Sequence, residues 1–412
     1  MAGFVRGRML CGTHRDRGRF VNGRVNVSDH YDVIVVGLGA MGSSACYQLA
    51  YRGARVLGLE KFDIPHSHGS STGFTRMIRL AYYEHPDYVA LLRRAYELWN
   101  ELEAASGQQL LHVTGGLYIG RPDSVLVAGC LRSAQEHGIA HEMLSAHQLG
   151  DRYSQFQLPD DFVAFCEQSA GFLVPERVVA VTAEQALCRG AVLRAREPVI
   201  DWQASASGVT VRTQKRRYTS DQIVFSGGAW NGTLLKDLGV ELTVTRQITG
   251  WVWPGKPQLF GMDKFPCWAL DFNDPDQHKG IYYGFPMTAD NPGFKVALHW
   301  PMSVTDPDAV VRDVLPGDED TFRPILRRVF PDADGPLLSM RTCLYTNSPD
   351  SHFIVGQLPN TPQWHGRVTV ACGFSGHGFK FASVIGEILA DLATAGRTSL
   401  PIEFLSPSRF GK

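Results

Sequence analysis

The chain has 412 residues, with 40 basic and 41 acidic side chains, a formal net charge of −1 and 44% hydrophobic content. That is ordinary globular composition, long enough for one large or two interleaved domains with a substantial core. A charge so close to zero gives no electrostatic reason to expect nucleic acid or an anionic membrane surface as a partner, and no apolar run reaches the ~18 residues that would span a bilayer.

The first 29 residues are Arg- and Gly-rich and lack both an apolar stretch and an amphipathic period. They read as an over-extended start or a disordered tail rather than a transit peptide. The terminal Arg-Phe-Gly-Lys is not a peroxisomal address. Folded structure is expected from about Tyr31. Asp32 to Val36 is a continuous apolar run after its first residue, as in a strand buried on both faces of a parallel sheet. Gly37-Leu38-Gly39-Ala40-Met41-Gly42 follows, then a helical pattern from Ser43 to Arg52 with Gly53 as its stop, then a strand from Arg55 to Leu59 closed by Glu60.

This βαβ unit carries a dinucleotide fingerprint. Gly37 permits the tight turn, Gly39 admits a pyrophosphate to the backbone, and Gly42 allows close packing of helix on strand. The helix N-terminus stabilises phosphate charge, and Glu60 is placed to bond ribose hydroxyls. The spacing does not separate FAD from NAD. A second glycine-rich strand–turn–helix at the other end of the chain favours the longer FAD.

Farther along, Gly69 to Arg79 contains Arg76 and Arg79, which share one side if the stretch is helical. Arginine suits carboxylate recognition; surface pairing with Glu84 or Asp87 is the alternative. A long amphipathic helix is expected from Pro86, with Val89, Leu92, Ala95, Tyr96 and Trp99 on one face. Strands follow at Gly115–Gly120, Val209–Arg212 and Gln222–Phe225, and aromatic alternation between 244 and 300 suggests an antiparallel sheet. The chain closes with a strand at Val368–Ala371, a turn from Cys372 to Gly378 and a helix from Phe379 to Ala395, stopped at Gly396. Lys380 in the first turn of that helix opposes the helix dipole unless an anion binds there.

Eight cysteines (Cys11, Cys46, Cys130, Cys166, Cys188, Cys267, Cys343 and Cys372) form no C-x-x-C pair, and no secretory signal is present. Neither a disulfide framework nor a metal site is indicated, and a cytoplasmic protein with reduced thiols is expected. By itself Cys343 reads as a buried core cysteine.

With these motifs assembled, the chain resembles the monomeric sarcosine oxidase family, which includes N-methyltryptophan oxidase and pipecolate oxidase. The resemblance runs from Tyr31 to about Phe410. It rests on Asp32–Gly42, on His66-Ser67-His68-Gly69-Ser70 with Thr75-Arg76-Met77-Ile78-Arg79, on Tyr282-Tyr283-Gly284-Phe285-Pro286, on Cys343 to Asp350, and on Gly373–Lys380. It implies an α/β fold, with a Rossmann-type FAD-binding domain of the glutathione reductase kind (30–112, 172–245 and 340–412). This would be interleaved with an α+β substrate domain on a mainly antiparallel sheet (113–171 and 246–339).

The resemblance further implies FAD joined by a thioether to Cys343, with cofactor contacts from Met41, Lys61, Ser70, Thr75, Gly376 and Gly378 beside the fingerprint residues and Glu60. Arg79 and Lys380 match the pair that binds the substrate carboxylate, Arg76 an arginine at the flavin face, and Lys295 the lysine that promotes reaction with oxygen. Tyr283, Tyr345 and His299 match positions lining the substrate cavity.

Implied activity is oxidation of a small secondary amino acid to an imine, hydrolysed to amino acid and aldehyde, with O2 reduced to hydrogen peroxide, by a monomer. The substrate could be sarcosine, N-methyltryptophan or a cyclic amine such as pipecolate. A dehydrogenase on the same scaffold, passing electrons to a carrier, is the rival reading, and Lys295 argues against it. Ser71-Thr72 stand where some relatives carry two histidines, and Lys295 lies one residue further from Tyr283 than in some relatives. Cavity residues expected between about 246 and 270, among them Trp251, Trp253 and Trp268, are decoded by no motif.

Overall fold

The computed structural model describes residues 30–235, 238–272, 280–291, 293–299 and 302–410. The Arg- and Gly-rich N-terminal segment, with Cys11, lies outside the described residues. Strand His30–Val36 is the centre of the first sheet, with Val33 to Val36 all buried. It pairs in parallel with Arg217–Phe225 on one side and Val56–Leu59 on the other. Val192–Arg194 and Val368–Cys372 extend the parallel core outward, and Val199–Ser205 with Gly208–Thr213 forms an antiparallel edge. With Ile354–Gln357 the sheet has eight strands. The first strand feeds helix Ala40–Tyr51, which packs on Pro175–Cys188 and Ala382–Ala395. Close packing here needs glycine: a Cβ on Gly42 would lie 1.8 Å from Gly37 O.

The second sheet also has eight strands, in the order Leu337–Asn347, Thr243–Val252, Phe294–His299, Ile281–Phe285, Cys267–Asp271, Gly116–Gly120, Val163–Glu167 and Glu142–Ser145. Every pairing is antiparallel except Cys267–Asp271 with Gly116–Gly120. The boundaries expected at 245/246 and 339/340 fall inside Thr243–Val252 and Leu337–Asn347. Both strands run wholly in this second sheet, paired with each other along their length. Cys343 therefore comes from the second sheet, not the first. A small antiparallel sheet of Arg76–Ile78, Gly171–Leu173 and Leu111–Val113 bridges the two.

That small sheet fixes the conformation of the arginine segment. Arg76–Ile78 is a strand, so Arg76 and Arg79 do not share a helix face. The long helix is Tyr88–Ser106, two residues inside the expected start. The closing helix is Ala382–Ala395 with a left-handed Gly396, and Lys380 stands in a separate 3-10 turn, Phe379–Phe381, just before it. The three tryptophans are corrected too. Trp268 is fully buried in the core, stacked on Phe294, Trp251 is buried beside Phe74, and Trp253 is 42% exposed. Their indoles fill or cover the second sheet rather than line a cavity.

Truncating Trp268 to alanine should therefore lower stability by about 3–5 kcal/mol, as for other large buried aromatics, while leaving substrate KM near its original value. Denaturant unfolding and steady-state kinetics check the two halves.

Candidate active site

The two sheets meet around a cavity of about 360 Å³, within the range of small-molecule sites. At one end it is lined by the fingerprint loop, Gly37, Gly39 and Met41, and by Glu60 and Lys61. Gly37 takes φ +89, open to glycine at little cost, and helix Ala40–Tyr51 begins at this end, where the N–H groups of a first turn lack intrahelical partners. Glu60 is 5% exposed and receives Leu38 N at 2.7 Å and Phe62 N at 2.9 Å. Lys61 pairs with Asp308, which also accepts Trp230 Nε1 at 2.8 Å.

At the other end the lining includes Ser70, Arg76, Arg79, Tyr283, His299, Cys343, Tyr345, Gly376, Gly378 and Lys380. The sequence thus brings residues from both ends of the chain to one wall. Cys343 is 6% exposed, and its Sγ lies 3.6 Å from Arg76 Nη2. Arg76 also donates to Thr75 O at 2.9 Å and Ser70 O at 3.0 Å. Tyr345 Oη contacts His299 Nδ1 at 3.1 Å. Gly376, at φ +83, is required because a Cβ there would meet the Tyr345 ring at 2.4 Å. Three expected residues do not line the cavity. Gly42 is turned into the helix–strand contact, and Lys295 and Thr75 bond each other behind the wall.

Lys295 has no solvent exposure. Its Nζ reaches Gly73 O at 2.7 Å, Thr75 O at 2.9 Å and Thr75 Oγ1 at 3.1 Å, with the Phe285 and Trp251 rings below it. Burial, reinforced by Arg76, holds its pKa well below the ordinary lysine value.

Arg79 is 4% exposed and forms a buried ion pair with Glu84 at 2.7 Å. Both the pairing and the cavity position hold at once, so the two readings of Arg79 are not exclusive. Burial opposes the charge on each partner, yet their mutual attraction keeps the guanidinium raised and the carboxyl below its usual range. Lys380 is 6% exposed and donates to His377 O at 2.8 Å. Burial, with Arg79 adding and Glu84 opposing, brings its pKa down to about 7. Burial also takes His299 down to about 4 and His377 to about 3, so both imidazoles are neutral at physiological pH.

Three carboxylates escaped the sequence reading. Glu84 figured only as a surface partner, and Glu167 and Glu176 not at all. Glu167 has no exposure and accepts Leu80 N at 2.7 Å and Ala81 N at 3.0 Å, fixing the chain just after Arg79. Nothing in the local pattern around these acids sets them apart from surface glutamates. Ser71 lines the cavity and accepts Ala40 N at 3.2 Å, whereas Thr72 turns away to Glu176 at 3.1 Å.

FAD fits this lining. Gln247 Oε1 and Thr346 Oγ1 are buried polar atoms with no partner among the described residues, and both side chains line the cavity beside Cys343. Unpaired buried oxygens of this kind call for a polar ligand edge. Glycine turn, helix N-terminus and Glu60 supply the opposite end with the donors and acceptor a dinucleotide needs.

A family model described as FAD dependent oxidoreductase (DAO) matches residues 32–392. The monomeric sarcosine oxidase of Streptomyces avermitilis is 43% identical over 386 residues, covering 93% of this chain and 98% of that protein. The N-methyl-L-tryptophan oxidase of Escherichia coli is 33% identical over 384 residues, covering 92% and 99%. Among solved structures, NikD, an amino acid oxidase essential for nikkomycin biosynthesis, superposes with a TM-score of 0.82 at 27% identity, covering 92% of this chain and 97% of that one.

The pH dependence of stability follows from Lys380. Its folded pKa of about 7 lies below the ordinary 10.5, so between those values the unfolded chain holds the extra proton. The burial penalty is complete below about pH 7 and is relieved as pH rises toward 10.5. Relative to Lys380→Met, the flavin-free wild type should therefore gain stability across that window. Melting curves of both proteins over pH test the sign.

Proposed function

The chain belongs to the FAD-dependent oxidoreductase (DAO) family, and from that premise we propose that it oxidises a small secondary amino acid at its C–N bond and hands the electrons to O2. The observation that carries this reading is the joining, in one cavity, of a cationic pair, Arg79 and Lys380, to the buried thiol of Cys343. FAD, once bound, supplies the two-electron acceptor. Gly37, Gly39, Met41, Glu60, Lys61 and Ser70 would hold it, Gln247 and Thr346 would meet its polar edge, and Cys343 would carry it covalently, with Arg76 beside its sulfur.

Arg79 and Lys380 bind the substrate carboxylate. Since Glu84 already balances Arg79, the incoming carboxylate finds its uncompensated partner in Lys380 and raises that group's proton affinity. The same cations disfavour the ammonium form of the substrate, leaving its nitrogen lone pair free for oxidation. Tyr283, Tyr345 and His299 shape the space beside the carboxylate. With the proton affinity of His299 and His377 lowered by burial, residues contribute orientation and fixed charge rather than a dedicated general base.

Overall, an N-methyl amino acid, O2 and water give the demethylated amino acid, formaldehyde and hydrogen peroxide. The close sequence likeness to a sarcosine oxidase favours sarcosine among secondary amino acids. Lys295, buried beside Arg76, is assigned to oxygen reduction, which favours an oxidase over a dehydrogenase. The parallel sheet and its helices would hold most of FAD, and the antiparallel sheet would bring Cys343, Gln247 and Thr346 to the flavin and shape the substrate side. A monomer in the cytoplasm is the proposed setting. Among the described residues no helix is long and apolar enough to cross a membrane.

Acid denaturation of the purified protein should leave the yellow colour on the polypeptide, and Cys343→Ser should release it. A colour lost equally from both would refute the covalent assignment. Lys380→Met should raise KM for sarcosine by about 100-fold, the loss expected for one buried charge-assisted contact. Carboxylate inhibitors should bind the wild type tightest below about pH 7 and weaken as Lys380 deprotonates, a dependence that Lys380→Met abolishes.

A further inference from the structure

One carboxylate behind the cavity wall acts on two of the cations at once. Glu176 stands in the first turn of helix Pro175–Cys188. Its Oε1 accepts Gly73 N at 2.7 Å, Phe74 N at 3.2 Å and Thr72 Oγ1 at 3.1 Å, and Oε2 also reaches Phe74 N at 3.2 Å. Gly73 and Phe74 both have left-handed backbone, φ +99 and +65, and a left-handed phenylalanine persists only where its surroundings hold it. Gripped by its N–H groups, the loop presents Gly73 O and Thr75 O to Lys295 Nζ, and Thr75 O also takes Arg76 Nη1.

Charge points the same way. Facing Lys295 are Arg76 and Arg341, the thiols of Cys343 and Cys267, the rings of Trp251 and Phe285, and the carboxylate of Glu176. Burial and Arg76 both discharge Lys295, and Glu176 is the first group to oppose them. The same carboxylate supports the charge on Arg76. Thr72, which replaces a histidine of some relatives, adds a neutral donor to it.

Resting on the assignment of Lys295 to oxygen reduction, we propose that Glu176 is a positioning residue for that half of the reaction. Through the Gly73–Thr75 loop it fixes the Lys295 amine in place, and its negative charge favours the ammonium form. Glu176 itself does not line the cavity and acts from behind its wall, through the loop and through its charge.

The test uses the holoenzyme, its E176Q and E176D variants, Lys295→Met, and E176Q combined with Lys295→Met. Anaerobic reduction by substrate and reoxidation by O2 are measured separately across pH, together with sulfite affinity read from the flavin spectrum. E176Q should leave reduction within about twofold, slow reoxidation about tenfold near neutral pH, and lower the pH midpoints of reoxidation and sulfite binding by about one unit. E176D, which keeps the charge, should recover most of the rate, and E176Q should add nothing to Lys295→Met. Unmoved midpoints, or an equal loss in both half-reactions, would overturn the proposal and leave Glu176 a structural residue. Should Lys295→Met reoxidise as fast as the wild type, the oxygen assignment itself fails, and the sulfite midpoint of E176Q then decides whether Glu176 governs Lys295.

Discussion

Lys295 has no exposure to solvent, and the acceptors around its Nζ all belong to the loop between Gly73 and Thr75. An amine in such a place is costly unless its hydrogens are satisfied. Meeting that demand ties the second sheet, which carries Lys295, to the segment that leads into Arg76–Ile78. The loop's left-handed backbone, its grip by Glu176 and the aim of Arg76 at Cys343 are all consequences of the same arrangement. Register then does the rest. Once Thr243–Val252 pairs with Leu337–Asn347 and with Phe294–His299, Gln247 lies opposite Cys343 and Trp251 opposite Lys295.

The site works through charges whose magnitude is set by burial. Arg79 is neutralised in place by Glu84, Lys380 is poised near neutrality, and Lys295 is pressed toward its uncharged form. A substrate carboxylate would complete this set, with Lys380 gaining what Glu84 cannot supply. Tyr345 is pushed well above the ordinary tyrosine value by burial, so it offers a neutral hydroxyl, not a base. What the wall provides is a fixed field and a fixed shape, in keeping with chemistry that a flavin performs and the protein orients.

Much of this was legible in the sequence where a local pattern carries its own physics. The apolar strand, glycine turn and helix from Asp32 to Arg52 fold as their spacing dictates, because each step is a short-range constraint. The closing strand and helix around Gly373–Lys380 are equally local. What depends on long-range pairing was not legible. Arg76 and Arg79 would share one side only on a helix, and their spacing does not say whether one forms; Gly171–Leu173 recruits the segment into a strand. The domain limits slipped into two strands because nothing in their composition marks which sheet they join. Trp251 and Trp268 promised a cavity and fill the core instead, since aromatic content alone does not say which face of a strand is inward. The role proposed for Cys343 rests on the family resemblance, its local pattern being that of any buried cysteine. Glu176 and Glu167 have no sequence signature, as their partners are backbone N–H groups made available only by the fold.

The account stands most directly on the stoichiometry of the reaction in an oxygen electrode. With sarcosine as sole reductant and no added electron carrier, it predicts one O2 consumed and one hydrogen peroxide and one formaldehyde released for each sarcosine oxidised. Oxidation of sarcosine that proceeds only with an added carrier and takes up no O2 would contradict it.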